Sequence, residues 1–331
     1  MDVRKPWFGL IFLFVLLAAS AFVQPLFSRD DALREQVVAI SAEMAVASGQ
    51  RDAVPVTLYF RYMQTDFLAQ EARVLEVARN ETVELAIVRE LMAGPGAGSL
   101  ELTPLFSAND RLLAVRLEDD QVTVILGAQF LDPPADAPQD WEQYEYWAQE
   151  VPRRRRLAIQ AVTNALTEGG RCHTVRFLVS TGPEDTQGAR VRNAPFFGGD
   201  PDALLPPQAR QEEVVLTPRL TLNVALDAWQ RKDWLMLYAF LLRGGPDGTV
   251  LPSQADFMAR IGEMERSLLH YRLSAGTVSV DGATATLLVT ARLMRKDGQD
   301  WEIHQVPVAM VRERGSWKLP YDTLLRLMRE Q

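Results

Sequence analysis

The hydrophobic pattern divides the chain into stretches of different character. Trp7 to Val23 is an almost unbroken apolar run, and Pro6 to Ser28 carries no charged side chain. That length matches the roughly 20 residues a helix needs to cross a hydrocarbon core. Arg4 and Lys5 precede it, so the positive-inside rule places the N-terminus in the cytoplasm and the chain beyond Arg29 outside. Ala19-Ser20-Ala21 also has the small-x-small form of a cleavage site. Residues 1–28 therefore read as a retained transmembrane helix or a cleaved signal, and both put the body beyond the cytoplasmic membrane. No cysteine lies near the segment to carry a lipid. Leu33, Val37, Ile40 and Met44 then recur at helical spacing, predicting a single-striped stalk over 29–52 that ends at Ser48-Gly49.

From residue 53 to 195 the period changes repeatedly. Val54, Val56, Leu58 and Phe60 alternate with Pro55, Thr57 and Tyr59, the pattern of a strand with one buried face, and a second strand is expected across 73–78. Asn80 or Thr82 can cap a helix with Glu81 and Glu84 at its start and Gly94-Pro95 at its end. Leu113, Val115 and Leu117 alternate up to Asp119-Asp120, and Val122, Val124 and Leu126 alternate away from it, which predicts a hairpin. Leu157, Ala161, Val162, Ala165 and Leu166 form a helix closed by Gly169-Gly170, and Val175, Phe177 and Val179 a further strand. Helices and strands interleave without strict alternation, so the fold class is α+β, a sandwich with helices on one face of the sheet.

Residues 196–216 continue a Gly- and Pro-rich stretch without periodicity and read as a linker. Over 217–331 the order becomes helices first, strands afterwards. Thr217-Pro218 opens a helix with Leu222, Ala225, Leu226 and Trp229 on its buried face. Asp233 caps a second that runs through Leu242, and Ser253 with Asp256 opens a third that reaches about Leu269. Strands near 271–280, 283–296 and 301–314 turn at Asp281-Gly282 and Asp297-Gly298, and Trp317-Lys318-Leu319 precedes a terminal helix. This predicts a cone-shaped α+β domain with a curled antiparallel sheet.

Charge then excludes one partner class. The net charge is −8, and a basic surface that could displace counterions from nucleic acid is not provided. Cys172 is the single cysteine, so no internal disulfide forms. His173, His270 and His304 lack neighbours at metal-ligand spacing, and no nucleotide, zinc-protease or hydrolase motif is present. No cofactor is expected. Gly94, Gly96 and Gly98 follow a helix instead of joining a strand to one, which favours a turn over a phosphate cradle.

Four segments, "VPVTLYF", "AIVRELMAGP", "LTPLFSANDRLLAVRLEDDQVTVILGAQFLD" and "LAIQAVTNALTEGGRCHTVRFLV", occur in the order seen in the GerMN domain of sporulation and spore-germination proteins, which residues 53–195 resemble. The resemblance implies a non-enzymatic extracytoplasmic module, of a fold related to ring-building motifs, in envelope or sporulation-associated assemblies. Its implied partners are other envelope proteins or further copies of itself. "NVALDAWQRKDWLMLYAFL" and "VAMVRERGSWKL" resemble the nuclear transport factor two-like fold, whose cone holds a pocket, a side-chain filling or a dimer surface.

The insert Asp132 to Glu150 carries six acids and no base together with Trp141, Tyr144, Tyr146 and Trp147, and Arg153, Arg154, Arg155 and Arg156 come directly after it. Two readings stay open. Trp141, Tyr144, Trp147 and the four arginines can form a contact surface for a protein, a wall glycan or phosphate-bearing groups. Equally, the acids can fold back on the arginines while the rings cover apolar surface. An acid–base pair in the cone, His270 with Tyr238 or Asp256, is the enzymatic alternative.

Overall fold

The computed structural model describes residues 51–180, 182, 185, 187–244, 250–264 and 266–329. The expected membrane segment and residues 29–50 of the expected stalk lie outside these residues, the stalk's last two positions open a strand, and among the described residues no helix is long and apolar enough to cross a membrane. The chain divides into two compact units. Of the described residues, the smaller gathers 51–54 with 74–81, parts of two strands and the turn after the second. The larger gathers 55–73 with 82–331 and contains the rest of the fold.

The larger unit holds residues 55–62 of β1 (Arg51–Tyr62), the central strand of a sheet ordered β2-β1-β3, with residues 68–73 of β2 (Leu68–Ala78) and all of β3 (Leu102–Thr103). The alternation along β1 implies one buried face, and the structure corrects this. Leu58, Tyr59, Phe60, Arg61 and Tyr62 are all buried, because the chain covers both sides of the strand over this stretch. Helix α1 (Val83–Ala93) starts where Thr82 accepts from the Leu85 amide at 3.2 Å and stops at Gly94, whose φ of 93° suits glycine.

A second sheet runs β4 (Leu112–Glu118), β5 (Gln121–Leu126), β6 (Thr174–Val179), β7 (Ala189–Arg190), with β8 (Gln208–Ala209) also on β6. The β4–β5 pair turns at Asp119-Asp120 as the alternation implies. On β4, however, Leu113 and Leu117 face outward, 36% and 40% exposed. Strands β5 and β6 are parallel, so a long crossover must join them, and α2 (Glu145–Thr167) supplies it. This helix begins at Glu145, well before the alanine-rich core that opens at Leu157, takes in the end of the acidic insert, and runs through Pro152. Losing one backbone hydrogen bond there costs about 3 kcal/mol, set against the apolar burial of Val151 and the ion pairs of Glu150 beside it.

Within the segment expected as linker, Leu205 is 4% exposed, Gln208 pairs with Val175, and Arg210 forms an ion pair with Glu168 at 2.5 Å. That segment is packed chain, with one-turn helix α3 (Ala194–Phe197) overlapping its start and burying Phe196.

Helix α4 (Pro218–Gln230) is capped by Thr217 and buries Leu222, Ala225, Leu226 and Trp229. The larger of these side chains each contribute roughly 1.5–3 kcal/mol on burial. Helix α5 (Trp234–Ala239) is capped by Asp233 and stops short of Leu242, since Leu241 and Leu242 turn to meet Leu319. Helix α6 (Gln254–Met264) likewise ends before Leu269: Ser267 already opens β9 (Ser267–Val278), where ladder bonds to β10 (Thr284–Met294) replace helical ones. With β11 (Asp300–Glu313) and β12 (Ser316–Lys318) the sheet reads β12-β11-β10-β9, antiparallel and bulged, and α7 (Tyr321–Met328) is the last described helix. Both halves are α+β, the second with a curled half-barrel sheet.

Candidate functional site

The start of α2 gathers most of the sequence-predicted contact residues around one buried carboxylate. Glu150 is 2% exposed, and the Arg61 guanidinium forks onto both its oxygens, through Nη1 and through Nη2 at 3.1 Å. Arg154 Nε donates to Glu150 at 2.8 Å and Arg153 Nη1 at 3.3 Å. The helix itself produces this arrangement, since residues three and four beyond Glu150 share its face. Arg153 also pairs with Asp66 at 2.5 Å, and Arg154 with Asp136 at 3.5 Å. Burial pushes the Glu150 carboxyl up, but the bonds from Arg61 and Arg154 outweigh it and hold the group below the usual carboxylate range. The acids of this region thus do fold onto the arginine run.

The rings divide. Trp147 lies under the Arg154 guanidinium at 5.8 Å and Trp141 under that of Arg155 at 5.9 Å. Tyr144 and Tyr146 stand 51% and 52% exposed beside them. Arg155 turns inward to the Leu131 carbonyl, and burial lowers its pKa. Arg156 is half-buried.

Next to this cluster lies a cleft of about 150 Å³ with Phe106, Phe130 and Val151 among its walls and Asp110, Asp132 and Arg155 on its lining. Phe106 and Phe130 pack at 5.8 Å. Asp110 accepts from the Ser107 amide at 2.7 Å, and its burial pushes the carboxyl up.

A second buried charge, missed by sequence reasoning, sits where the two α+β halves meet inside this unit. Lys318 is fully buried, its Nζ 2.6 Å from Glu101, 2.5 Å from the Tyr62 hydroxyl and 3.0 Å from the Ala239 carbonyl. Tyr62 in turn donates to the Ala239 carbonyl at 2.5 Å and stacks on Phe240 at 5.1 Å. Burial lowers the Lys318 pKa against the opposing pull of Glu101. The only hint in the sequence is a lysine between Trp317 and Leu319.

The glycine-rich loop after α1 does cradle an anion, and that anion is the chain's own. Gly96 N–H points at both Glu71 oxygens, 3.1 and 3.3 Å away, Ser99 Oγ donates at 2.9 Å, and Arg73 reaches the same carboxylate and Glu90.

The acid–base partners expected in the cone do not converge. Tyr238 donates to the Pro252 carbonyl at 2.9 Å and packs on Phe257, Asp256 is bonded to Ser253, and His270 faces solvent from β9. No cluster of metal-ligating side chains occurs among the described residues.

Residues 57–184 match the family described as Germane, sporulation and spore germination, so a GerMN domain occupies this part of the chain. Modules of that family are non-catalytic. No curated protein matches the chain. Among solved structures, the tandem GerMN domains of the sporulation protein GerM from Bacillus subtilis share 17% identity at a TM-score of 0.32. That match covers 50% of this chain and 47% of theirs, so the chain spans about half the length of that structure. A putative lipoprotein from Clostridium perfringens shares 14% identity over 48% of this chain and 89% of its own, TM-score 0.25. A putative polyketide cyclase from Pseudomonas putida shares 17% over 32% and 88%, TM-score 0.23. At these scores the structural likenesses carry no argument.

Proposed function

We propose that the protein is a membrane-anchored, extracytoplasmic adaptor of a bacterial envelope or sporulation assembly, without catalytic activity. In this reading residues 1–28 are the anchor or signal and 29–52 the stalk. The GerMN domain over 53–195 supplies protein contacts, and after the packed connecting segment at 196–216 the domain over 217–331, of nuclear transport factor two-like type, supplies a second contact or dimer surface. The bulk of the chain then lies outside the cytoplasmic membrane, single-pass.

The observation that carries the reading is the pair Tyr144 and Tyr146, half-exposed on a helix start whose arginines are held in place by Glu150, Asp66 and Asp136. Tyrosine and arginine fixed side by side are the residues on which protein interfaces concentrate their binding energy. The same ion pairs leave Arg153 and Arg154 poorly available to a free polyanion, which favours a protein over phosphate-bearing polymers as the occupant. Crosslinking the full-length protein in its native membranes, with partners identified by mass spectrometry, tests this. A defined envelope complex that falls at least tenfold with Tyr144→Ala/Tyr146→Ala is expected; recovery of nothing but the protein itself contradicts the adaptor role.

The second reading, a small ligand or wall glycan held beside the aromatic insert or in the cone, is favoured by one observation: the phenylalanine-walled cleft adjoins that insert.

A further inference from the structure

A leucine stands in solvent among arginines where the two α+β halves meet. Leu100 is 74% exposed, on the loop that joins α1 to β3. The loop is pinned: Glu71 holds its Gly96 amide and Ser99 hydroxyl, and the Leu102 amide donates to the Ser99 carbonyl at 3.0 Å. The Met63 amide donates to the Glu101 carbonyl at 2.7 Å. The facing wall is the two-residue turn Arg314-Gly315 between β11 and β12, with both residues at positive φ as a tight hairpin requires. Gly315 lies so close to β2 that a Cβ there would overlap the Gln70 carbonyl oxygen. Two adjoining hollows, about 630 Å³ and about 220 Å³, open between these walls, and Ser99, Leu100 and Arg314 line both. Exposed Ala72 and Ala97 add apolar surface to the larger.

The arginines of this groove are short of carboxylates. Arg314 is exposed and forms no ion pair among the described residues. Arg312 bonds to neutral acceptors, the Gln70 amide oxygen at 3.2 Å and the Gly315 carbonyl at 3.4 Å. Arg243 is exposed and 3.7 Å from Glu101, a carboxylate that Lys318 already holds at 2.6 Å. Glu71 is likewise committed to Arg73 and to its own loop. Glu313 also lines the smaller hollow, but it pairs with none of these three arginines. The acidic run beside α2 clamps Arg153 and Arg154; here the guanidinium groups remain open to an incoming carboxylate.

We propose that this groove docks an extended acidic segment of a partner protein. An apolar side chain of that segment lies against Leu100, Ala72 and Ala97, and its carboxylates lie on Arg314 and on Arg243 beyond it. A hollow between two walls fits a single strand of chain better than the flat face of a bilayer. Walls already held in place spare the ordering cost of binding. The site deepens the adaptor reading by adding a contact that needs both halves. Its test uses peptides, so it stands or falls apart from crosslinking through Tyr144 and Tyr146.

The test is fluorescence anisotropy of labelled octapeptides titrated with the detergent-solubilised full chain. The probe alternates glutamate with leucine; the controls alternate glutamine with leucine and glutamate with serine. Binding of the glutamate–leucine peptide is expected, with both controls at least tenfold weaker. Leu100→Ser and Arg314→Asn should each weaken it at least tenfold. Both positions are exposed, and asparagine tolerates positive φ, so the variants keep the fold. No binding of the probe at millimolar concentration overturns the inference, as does equal binding of the glutamate–serine peptide or unchanged affinity in both variants. Dihexanoyl phosphatidylglycerol, a soluble anionic lipid, tests the other occupant. If it binds in a Leu100-dependent way and the probe does not, the patch faces a membrane and the inference is overturned.

Discussion

Two buried charges, Glu150 and Lys318, solve the same problem in opposite ways. Glu150 is a carboxylate surrounded by an excess of cations, with Arg61, Arg153 and Arg154 all within 3.3 Å. Lys318 is an ammonium with one carboxylate, Glu101, supplemented by a phenol and a carbonyl. The first arrangement is built within the GerMN domain from a strand and one helix face. The second joins β12 to residues of the GerMN half and to the end of α5. A surplus of counter-charges makes a centre tolerant of losing any one neighbour but dependent on its hub. A single counter-charge makes the partner matter more than the hub.

The sharpest way to break this contrast is Glu150→Gln. It strands the Arg61 guanidinium, 3% exposed, beside two further arginines, and should cost about 3–5 kcal/mol in urea unfolding. Glu101→Gln should cost less, about 2–3 kcal/mol, because Tyr62 and the Ala239 carbonyl still hold the ammonium. Lys318→Met should cost about 1 kcal/mol or less, since Glu101 is part-exposed and keeps Arg243 at 3.7 Å. If Lys318→Met proves more damaging than Glu101→Gln, the asymmetry between hub and partner does not hold. Arg153→Gln should fall within about 1 kcal/mol of the parent, its partner Asp66 being half-exposed.

Acidity sharpens the comparison in a second way. The Glu150 pKa is lower in the folded protein than its ordinary value of 4.5, so its stabilisation is complete above that value and is lost as pH falls through the folded pKa. The Lys318 pKa is lowered from 10.5, so the unfolded chain holds the proton more tightly. Stability from this group therefore rises as pH increases through the interval between its folded pKa and 10.5. Equilibrium unfolding across pH should show an acid limb that flattens in Glu150→Gln and an alkaline rise that disappears in Lys318→Met.

What could be read from sequence depends on the range of the interaction. Thr82, Thr217, Asp233 and Ser253 are legible as caps because a cap acts over three residues. The Asp119-Asp120 hairpin and the α+β class are legible for the same local reason. The end of α6 is not, because Ser267 to Leu269 fit a helical pattern and only pairing with β10 decides otherwise. Nor are the ion-pair centres: Arg61 and Glu150 are 89 residues apart, and Tyr62 and Lys318 are 256 apart. Of the candidate contact residues, position and mutual proximity are legible from their clustering in the chain. The division between rings under guanidinium groups and rings facing outward requires the fold, as does the cleft behind them.

The loop around Glu71 can be regarded as a binding equilibrium already settled. Its acceptor is tethered to the same chain, which amounts to an effective concentration on the order of millimolar or higher for an internal ligand. Any free phosphate or carboxylate must compete against that tethered group for the Gly96 amide and the Ser99 hydroxyl, so ordinary solution levels of such ions leave the loop closed. A glycine-rich stretch that looks vacant to a motif search is, in this protein, a receptor with its inhibitor covalently attached.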